Sequence, residues 1–221
     1  MNSVVQTTTA DGSHTLYVPT INESYHSVYG AIGESTFIFI EHGLRACTKN
    51  DVKVLEVGFG TGLNALLTAL EASRTGKNIH YTTLELHPVT LQQVRQLNYP
   101  SLLADSGDLF EKIHASAWET DAVISAHFVL HKMKADFTVC SLPGMYDMVY
   151  FDAFSPEKQP EMWTASCFEK IAAHCLPDAV LTTYCAKGSV RRTLQQVGFH
   201  VERLPGPSGK REIIRGIKIK E

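Results

Sequence analysis

The chain lacks the features that would commit it to export, membrane insertion or a cross-linked scaffold. Its five cysteines, Cys47, Cys140, Cys167, Cys175 and Cys185, are odd in number and include no C-x-x-C pair, so neither a disulfide framework nor a zinc ribbon is expected, and no other metal site is. The opening M-N-S-V-V-Q-T-T-T-A-D-G-S has no basic start and no apolar core, unlike a signal peptide. No run of eighteen apolar residues occurs, which excludes a long spanning helix. Internal repeats and low-complexity segments are missing as well. The expected setting is a reducing cytoplasm, away from membranes.

With 221 residues and 44% hydrophobic content, the chain can bury one good core, and one α/β domain with a small appendage is the economical expectation. The formal charge of −3 hides an asymmetry. From Lys187 onward nine basic residues (Lys187, Arg191, Arg192, Arg203, Lys210, Arg211, Arg215, Lys218, Lys220) face three glutamates, a local +6, so the preceding 186 residues carry −9. A phosphate-binding face would produce this pattern, and so would ordinary solvated surface on the last strands.

The organising stretch is Val52 to Asn64, V-K-V-L-E-V-G-F-G-T-G-L-N. A Val- and Leu-rich run breaking into Gly58, Gly60 and Gly62 predicts a buried strand, a tight loop and a helix start. Glycine tolerates positive φ and close approach of a ligand, and the helix N-terminus offers unpaired N–H groups. The dinucleotide fingerprint G-x-G-x-x-G requires its third glycine where Leu63 stands, which weighs against NAD. Glu56, two residues before Gly58, instead gives E-x-G-x-G-x-G. This string resembles motif I of class I S-adenosylmethionine-dependent methyltransferases, where the acid helps hold the methionine end of the cofactor; Phe59, Thr61 and Asn64 fall in the same loop.

Ahead of that stretch, residues 3 to 18 predict a β-hairpin turning at Asp11-Gly12. A helix is predicted from about Gly33 to Cys47, with Phe37, Ile40, Glu41 and Leu44 on one face. Tyr25, His26, Ser27, Tyr29, Glu34 and Ser35 form a dense polar cluster that suits either packing and capping or a substrate lid. Leu63, Leu66, Leu67 and Leu70 share a helical face after the glycine loop. The strand I-H-Y-T-T-L-E-L ends near Glu85, twenty-five residues after Gly60, where a carboxylate can accept both hydroxyls of a ribose. Pro88 is expected to begin a helix. A short helix around Asp108 to His114 and a third strand, H-F-V-L-H-K-M-K, lead to Asp136, placed to accept from an adenine amino group. The ten residues before the next strand are too few for a crossover helix.

That next strand, M-Y-D-M-V-Y-F-D, ends in Asp152. Phe154, Pro156, Pro160 and Trp163 then pin an irregular loop beyond the strand's carboxyl end, where open α/β sheets hold ligands, and this is the expected acceptor site. A helix near Glu161 to Cys175, the strand A-V-L-T-T-Y, a helix burying Val190, Leu194 and Val197 with Arg191 and Arg192 toward solvent, and two closing strands around P-G-P-S-G-K complete the chain.

L-E-V-G-F-G-T-G-L-N, F-D-A-F-S-P-E-K-Q-P-E-M-W-T, T-Y-C-A-K-G-S-V-R-R-T-L-Q-Q-V-G-F, the ending G-K-R-E-I-I-R-G and the leader Y-H-S-x-x-G-A-x-x-E-S-T together resemble the tRNA 5-methylaminomethyl-2-thiouridine methyltransferases. The resemblance implies a Rossmann-like class I methyltransferase fold. Its mostly parallel seven-stranded sheet would occupy residues 49–221, with residues 1–48 as a hairpin-and-helix extension packed on it. It implies S-adenosylmethionine as cofactor, tRNA as partner, and methylation of the aminomethyl group of 5-aminomethyl-(2-thio)uridine at the wobble position. Glu56, Gly58, Gly60 and Gly62 become the motif I loop, Glu85 the ribose acid, Asp136 the adenine-side acid and Asp152 the acceptor-site acid, orienting the amine or accepting its proton. Tyr25, Ser27, Glu34, Ser35, Phe154 and Trp163 are expected around the acceptor, and Lys187, Arg191, Arg192, Lys210 and Arg211 along tRNA phosphates. The oxidase domain fused to some family members has no counterpart in this sequence, so a separate enzyme would supply the aminomethyl intermediate. The rivals are an aminopropyltransferase-like or other small-amine transferase, a non-enzymatic RNA-binding module and, last, an NAD oxidoreductase.

Overall fold

The structure, a computed structural model, describes residues 4–220. Its N-terminal extension opens with β1 (Val5–Thr8) and β2 (His14–Val18), paired antiparallel, and β3 (Glu23–Ser24) adds a third strand against β2. This is the expected hairpin, apart from Ser3, which lies outside the described residues. Gly12 takes φ 82° in the turn, while Asp11 Oδ1 accepts from Ser13 N–H at 3.0 Å and Asp11 Oδ2 accepts from Gly33 N–H at 2.9 Å. One carboxylate thus closes the hairpin and ties it to the helix that follows.

That helix departs from the even 3.6-residue pattern. Helix α1 (Ala31–Ser35) widens into a π-helical segment, Thr36–Glu41, and a separate 3₁₀ turn covers Leu44–Ala46. His42 N–H reaches back to Phe37 O at 3.1 Å. The wider turn rotates three consecutive residues, Ile38, Phe39 and Ile40, into the core and leaves Glu41 exposed. A run of adjacent apolar residues favours such a bulge, because the widened turn buries more of it than a regular face would.

The main sheet contains β4 (Asp51–Val57), β5 (Asn78–Leu84), β6 (Asp121–Ser125), β7 (Phe128–Met133), β8 (Tyr146–Phe151), β9 (Cys175–Thr183), β10 (Phe199–Pro205) and β11 (Glu212–Lys218), in the order β10-β11-β9-β8-β4-β5-β7-β6. Strands β9, β8, β4, β5 and β7 are mutually parallel; β6 is antiparallel to β7 and β11 is antiparallel to both neighbours. The sheet therefore has eight strands where seven were expected. The addition is edge strand β6, whose Val123 is exposed and which buries only Ile124, so no alternation marks it in the sequence.

Strand β4 divides its side chains between two cores. Val52 and Val54 join a cluster with Leu66, Tyr150 and the extension's Leu16, Ile38 and Leu44, whereas Leu55 and Val57 join Phe151, Phe168, Leu181 and Leu194 on the other face. Helices α2 (Leu63–Thr75), α3 (Leu91–Val94), α4 (Tyr99–Leu102), α5 (Gly107–Ala115), α6 (Ala165–Ala173) and α7 (Gly188–Gln196) complete the layers. Helix α2 is buried nearly all round, with Asn64, Thr68 and Ala69 enclosed beside the expected leucines. Helix α3 starts three residues past Pro88, because Thr90 and Gln93 form a capping box that sets its first turn. The helix expected over Glu161 to Cys175 splits into a 3₁₀ turn, Pro160–Trp163, and α6, with Val197 only half-buried after α7. Among the described residues no helix is long and apolar enough to cross a membrane.

Candidate functional site

A cavity of about 1120 Å³ opens at the carboxyl ends of the parallel strands. Its walls come from the segments that follow β4, β5, β7, β8 and β9, and it is roofed by residues of the 23–35 extension and by Lys210 from the β10–β11 loop.

The floor is the glycine loop. Gly58 sits at φ 98°, and a Cβ there would meet the Asp152 carbonyl oxygen at 2.6 Å. Gly60, at φ 51°, would press a Cβ to 2.8 Å from the Tyr25 ring. Neither place admits a side chain. Gly60 N–H donates to Glu85 Oε2 at 3.0 Å, and His87 N–H donates to Glu85 Oε1 at 2.8 Å, so the carboxylate after β5 hangs over the loop. Thr61 is clamped: His26 Nε2 lies 2.7 Å from its hydroxyl, Tyr99 O–H donates to that hydroxyl at 3.2 Å, and His114 Nε2–H donates to its carbonyl at 3.1 Å. Burial pushes both histidines down to about 4, so they act as neutral ligands of the loop.

Gly58, Phe59, Gly60, Thr61, Asn64, Glu85, Asp136 and Asp152 all line the cavity; Gly62 and Glu56 do not. Gly62 caps α2 at φ 73°. Glu56 follows the period of β4 onto the same face as Val52 and Val54 and lies behind the wall, fully buried. Thr83 O–H donates to its Oε2 at 2.6 Å, and its Oε1 has no partner among the described residues. Burial, opposed by Thr83 and reinforced by the nearby Asp152 charge, raises its carboxyl to about 8. Asp136 Oδ1 accepts from Thr138 N–H and O–H at 2.8 and 2.6 Å, which holds it below the usual carboxylate range.

Asp152 follows β8 and reaches the glycine loop through Asn64, whose Nδ2 donates to Asp152 Oδ2 at 2.8 Å. Its carboxyl rises to about 7: burial dominates, Asn64 opposes it, Glu34 raises it further and Lys210 lowers it. Around it stand Tyr25 and Phe154, edge to face at 5.1 Å, and Tyr184, which donates to Ala153 O at 2.8 Å. Ser27 N–H donates to Glu34 Oε2 at 3.1 Å, and Lys210 Nζ lies 2.9 Å from Glu34 Oε1. Tyr25, Ser27, Glu34, Ser35 and Phe154 line the cavity, whereas Trp163 is packed behind it, donating Nε1–H to Phe154 O at 2.7 Å.

The basic segment is less free than its composition suggests. Five of its nine cations are paired internally: Lys187 with Glu157, Arg203 with Glu212, Lys210 with Glu34, Arg215 with Glu202 and Lys220 with Asp178. Lys187, Arg191, Arg192 and Arg211 lie outside the cavity, and only Lys210 enters it. Sequence reasoning misses Tyr184, Tyr99 and His114 as site residues. Tyr184 carries a signal, being the last residue of the predicted strand A-V-L-T-T-Y and the first beyond the carboxyl end of β9; Tyr99 and His114 carry no local signal.

Residues 108–219 match the family model described as S-adenosyl-L-methionine-dependent methyltransferase. The chain is 34% identical over 170 residues to the tRNA 5-methylaminomethyl-2-thiouridine biosynthesis bifunctional protein MnmC of Stutzerimonas stutzeri (strain A1501), covering 73% of this chain and 26% of that protein. To the protein of the same name from Azoarcus sp. (strain BH72) it is 30% identical over 217 residues, or 91% of this chain and 34% of that one. It thus spans about a third or less of the curated relatives it matches. The crystal structure of MNMC2 from Aquifex aeolicus superposes with a TM-score of 0.84 at 25% identity, over 100% of this chain and 71% of that chain. Spermidine synthase from Thermotoga maritima shares the fold, with a TM-score of 0.60 at 12% identity over 97% of this chain and 72% of that chain.

A cationic sulfonium suits this cavity. Six of its lining residues are acidic (Glu23, Glu34, Glu85, Asp136, Asp152, Glu161) against three lysines (Lys134, Lys158, Lys210). With the strand order, the glycine cradle and the match over residues 108–219 in agreement, the chain belongs to the S-adenosyl-L-methionine-dependent methyltransferase family, and S-adenosylmethionine is its cofactor.

Proposed function

We propose that this chain methylates the aminomethyl group on C5 of the tRNA wobble uridine, with or without a 2-thio group. The observation that carries the reading is Asp152, held by Asn64 in a cavity that residues 23–35 and Lys210 roof over. Relatives named for tRNA 5-methylaminomethyl-2-thiouridine biosynthesis support it.

S-adenosylmethionine, when bound, supplies an electrophilic methyl group on sulfur. The chain's residues do the rest. Gly58 and Gly60, with Phe59, Thr61 and Asn64, would cradle the donor; Glu85 would hold its ribose and Asp136 would lie on its adenine side. Glu56 acts from behind, keeping the loop's foundation polar next to Asn64 and Asp152. Asp152 orients the acceptor nitrogen and takes its proton. A carboxyl at about 7 is far better matched than an ordinary one to a primary amine whose pKa, if lysine-like, lies near about 10.4. Alignment of the two halves contributes at most about 7 to 11 kcal/mol of the barrier reduction. Arg191, Arg192, Arg211 and Lys187 lie outside the cavity and are assigned to tRNA phosphates.

Mass spectrometry of wobble uridine from cells lacking the protein tests this: aminomethyl-uridine should accumulate, and an unchanged nucleoside profile would sink the reading. The small-amine alternative is separated by offering putrescine with decarboxylated donor beside tRNA with S-adenosylmethionine; only the tRNA reaction should give product.

A further inference from the structure

The cavity is acidic, yet the proposed substrate is a polyanion. Six acidic residues against three lysines would repel phosphate, so the part of the substrate that enters should carry positive charge. The structure already holds a positive charge there. Lys210 Nζ lies 2.9 Å from Glu34 Oε1 and 4.7 Å from the centre of the Tyr184 ring. A carboxylate on one side and an aromatic face on the other form the environment that selects an alkylammonium ion.

Both walls are built rather than incidental. Glu34 is fixed by Ser27 N–H at its other oxygen, and Tyr184 is fixed by its hydroxyl on Ala153 O, one residue beyond Asp152. The cation between them is the removable member, because it arrives on the loop joining β10 and β11, far in sequence from either wall.

We propose, building on the wobble-uridine reading above, that Lys210 is a placeholder. The substrate's aminomethyl group enters as an ammonium ion, displaces Lys210 from between Glu34 and Tyr184, and there passes one proton to the Asp152 carboxylate. An ammonium and a carboxylate become a neutral amine and a carboxylic acid, and the nitrogen keeps the lone pair it needs as a nucleophile. The proton later leaves Asp152 for solvent. Glu34 and Tyr184 are then specificity residues for a protonated primary amine.

Steady-state methylation of tRNA carrying 5-aminomethyl-2-thiouridine is the test, read as KM and kcat against pH for the wild-type chain, Glu34→Gln and Lys210→Met. Wild-type KM should be flat at low pH and rise once the pH passes the amine's own pKa. Glu34→Gln, which keeps an oxygen for Ser27 N–H, should raise KM at least tenfold at neutral pH while kcat changes less than threefold. Lys210→Met, assayed also with the free 5-aminomethyl-2-thiouridine nucleoside, which has no phosphates to lose, should lower KM for the nucleoside at least threefold; an unchanged or raised value overturns the placeholder role. A KM that falls as the amine deprotonates, or an unaltered KM in Glu34→Gln, overturns the ammonium subsite while leaving the activity standing. Absence of any methylated product overturns the activity itself, and the subsite with it, a result distinguishable from a changed pH profile.

Discussion

The two halves of the cavity are made in different ways. The half assigned to the donor is, apart from Glu85 and Asp136, one contiguous stretch, Gly58 to Asn64, whose shape is set by backbone: positive φ at Gly58 and Gly60, a carbonyl 2.6 Å from where a Cβ would sit, and a helix start at Leu63. The acceptor half is gathered from distant places, with Tyr25 and Glu34 from the extension, Asp152 and Phe154 after β8, Tyr184 after β9 and Lys210 between the last two strands. It is held by side-chain contacts, among them Asn64 to Asp152, Lys210 to Glu34 and Tyr25 to Phe154. A backbone cradle is hard to alter without breaking it; a side-chain assembly can be retuned residue by residue.

Gly58→Ala should do the most damage, because it combines a left-handed φ with collision against the Asp152 carbonyl. We expect a loss of about 3 kcal/mol in stability and no measurable S-adenosylhomocysteine binding by calorimetry. Normal donor affinity in that variant would contradict a backbone-determined cradle. Asp152→Ala, in the other half, should cut methyl transfer by about 10²–10⁴, the usual reach of a positioned proton acceptor, with donor affinity within threefold. If donor binding is lost instead, Asp152 belongs to the donor half.

The pH profiles should separate the halves too. Asp152 accepts a proton only when ionised, so kcat should climb with pH and level off above about 7. Glu56 bears on stability. Its folded carboxyl lies at about 8 against an ordinary 4.5, so the fold binds its proton more tightly than the unfolded chain does. That stabilisation is complete below about 4.5 and is lost as pH rises toward 8. The melting temperature should fall over this window in the wild-type chain and fall less in Glu56→Gln. Smallest of all, Arg191→Ala, Arg192→Ala or Arg211→Ala should each weaken tRNA binding a few-fold and reduce the log–log salt slope by about 0.7 to 0.9, one phosphate contact each. An unchanged slope would remove that residue from the tRNA interface.

Much of the fold is legible from local pattern. The hairpin at Asp11-Gly12, the glycine loop, the leucine face of α2 and the strand ending in Asp152 follow from turn chemistry and periodicity. The misses have physical causes. Strand β6 buries one residue and carries no alternation, the π-helical turn at 36–41 answers to a core that periodicity does not see, and the Thr90–Gln93 box outcompetes Pro88 as a helix start. In the site, Glu56 reads as a cofactor ligand because it precedes the glycines, but strand period turns it behind the wall. Composition cannot show that five of the basic tail's cations answer acids inside the molecule, so the proposed phosphate contacts rest mainly on Arg191, Arg192 and Arg211.

What the sequence alone determined is the shape of the half assigned to the donor: a strand, three glycines at alternate positions and an acid after the next strand specify a backbone conformation, and backbone conformation is a local property. Only the tertiary structure decided the acceptor side. Whether Lys210 meets Glu34, whether Tyr184 reaches Ala153 beside Asp152 and whether Asp152's carboxyl rises to about 7 depend on which distant segments share one cavity. Burial and through-space charge have no counterpart in residue order.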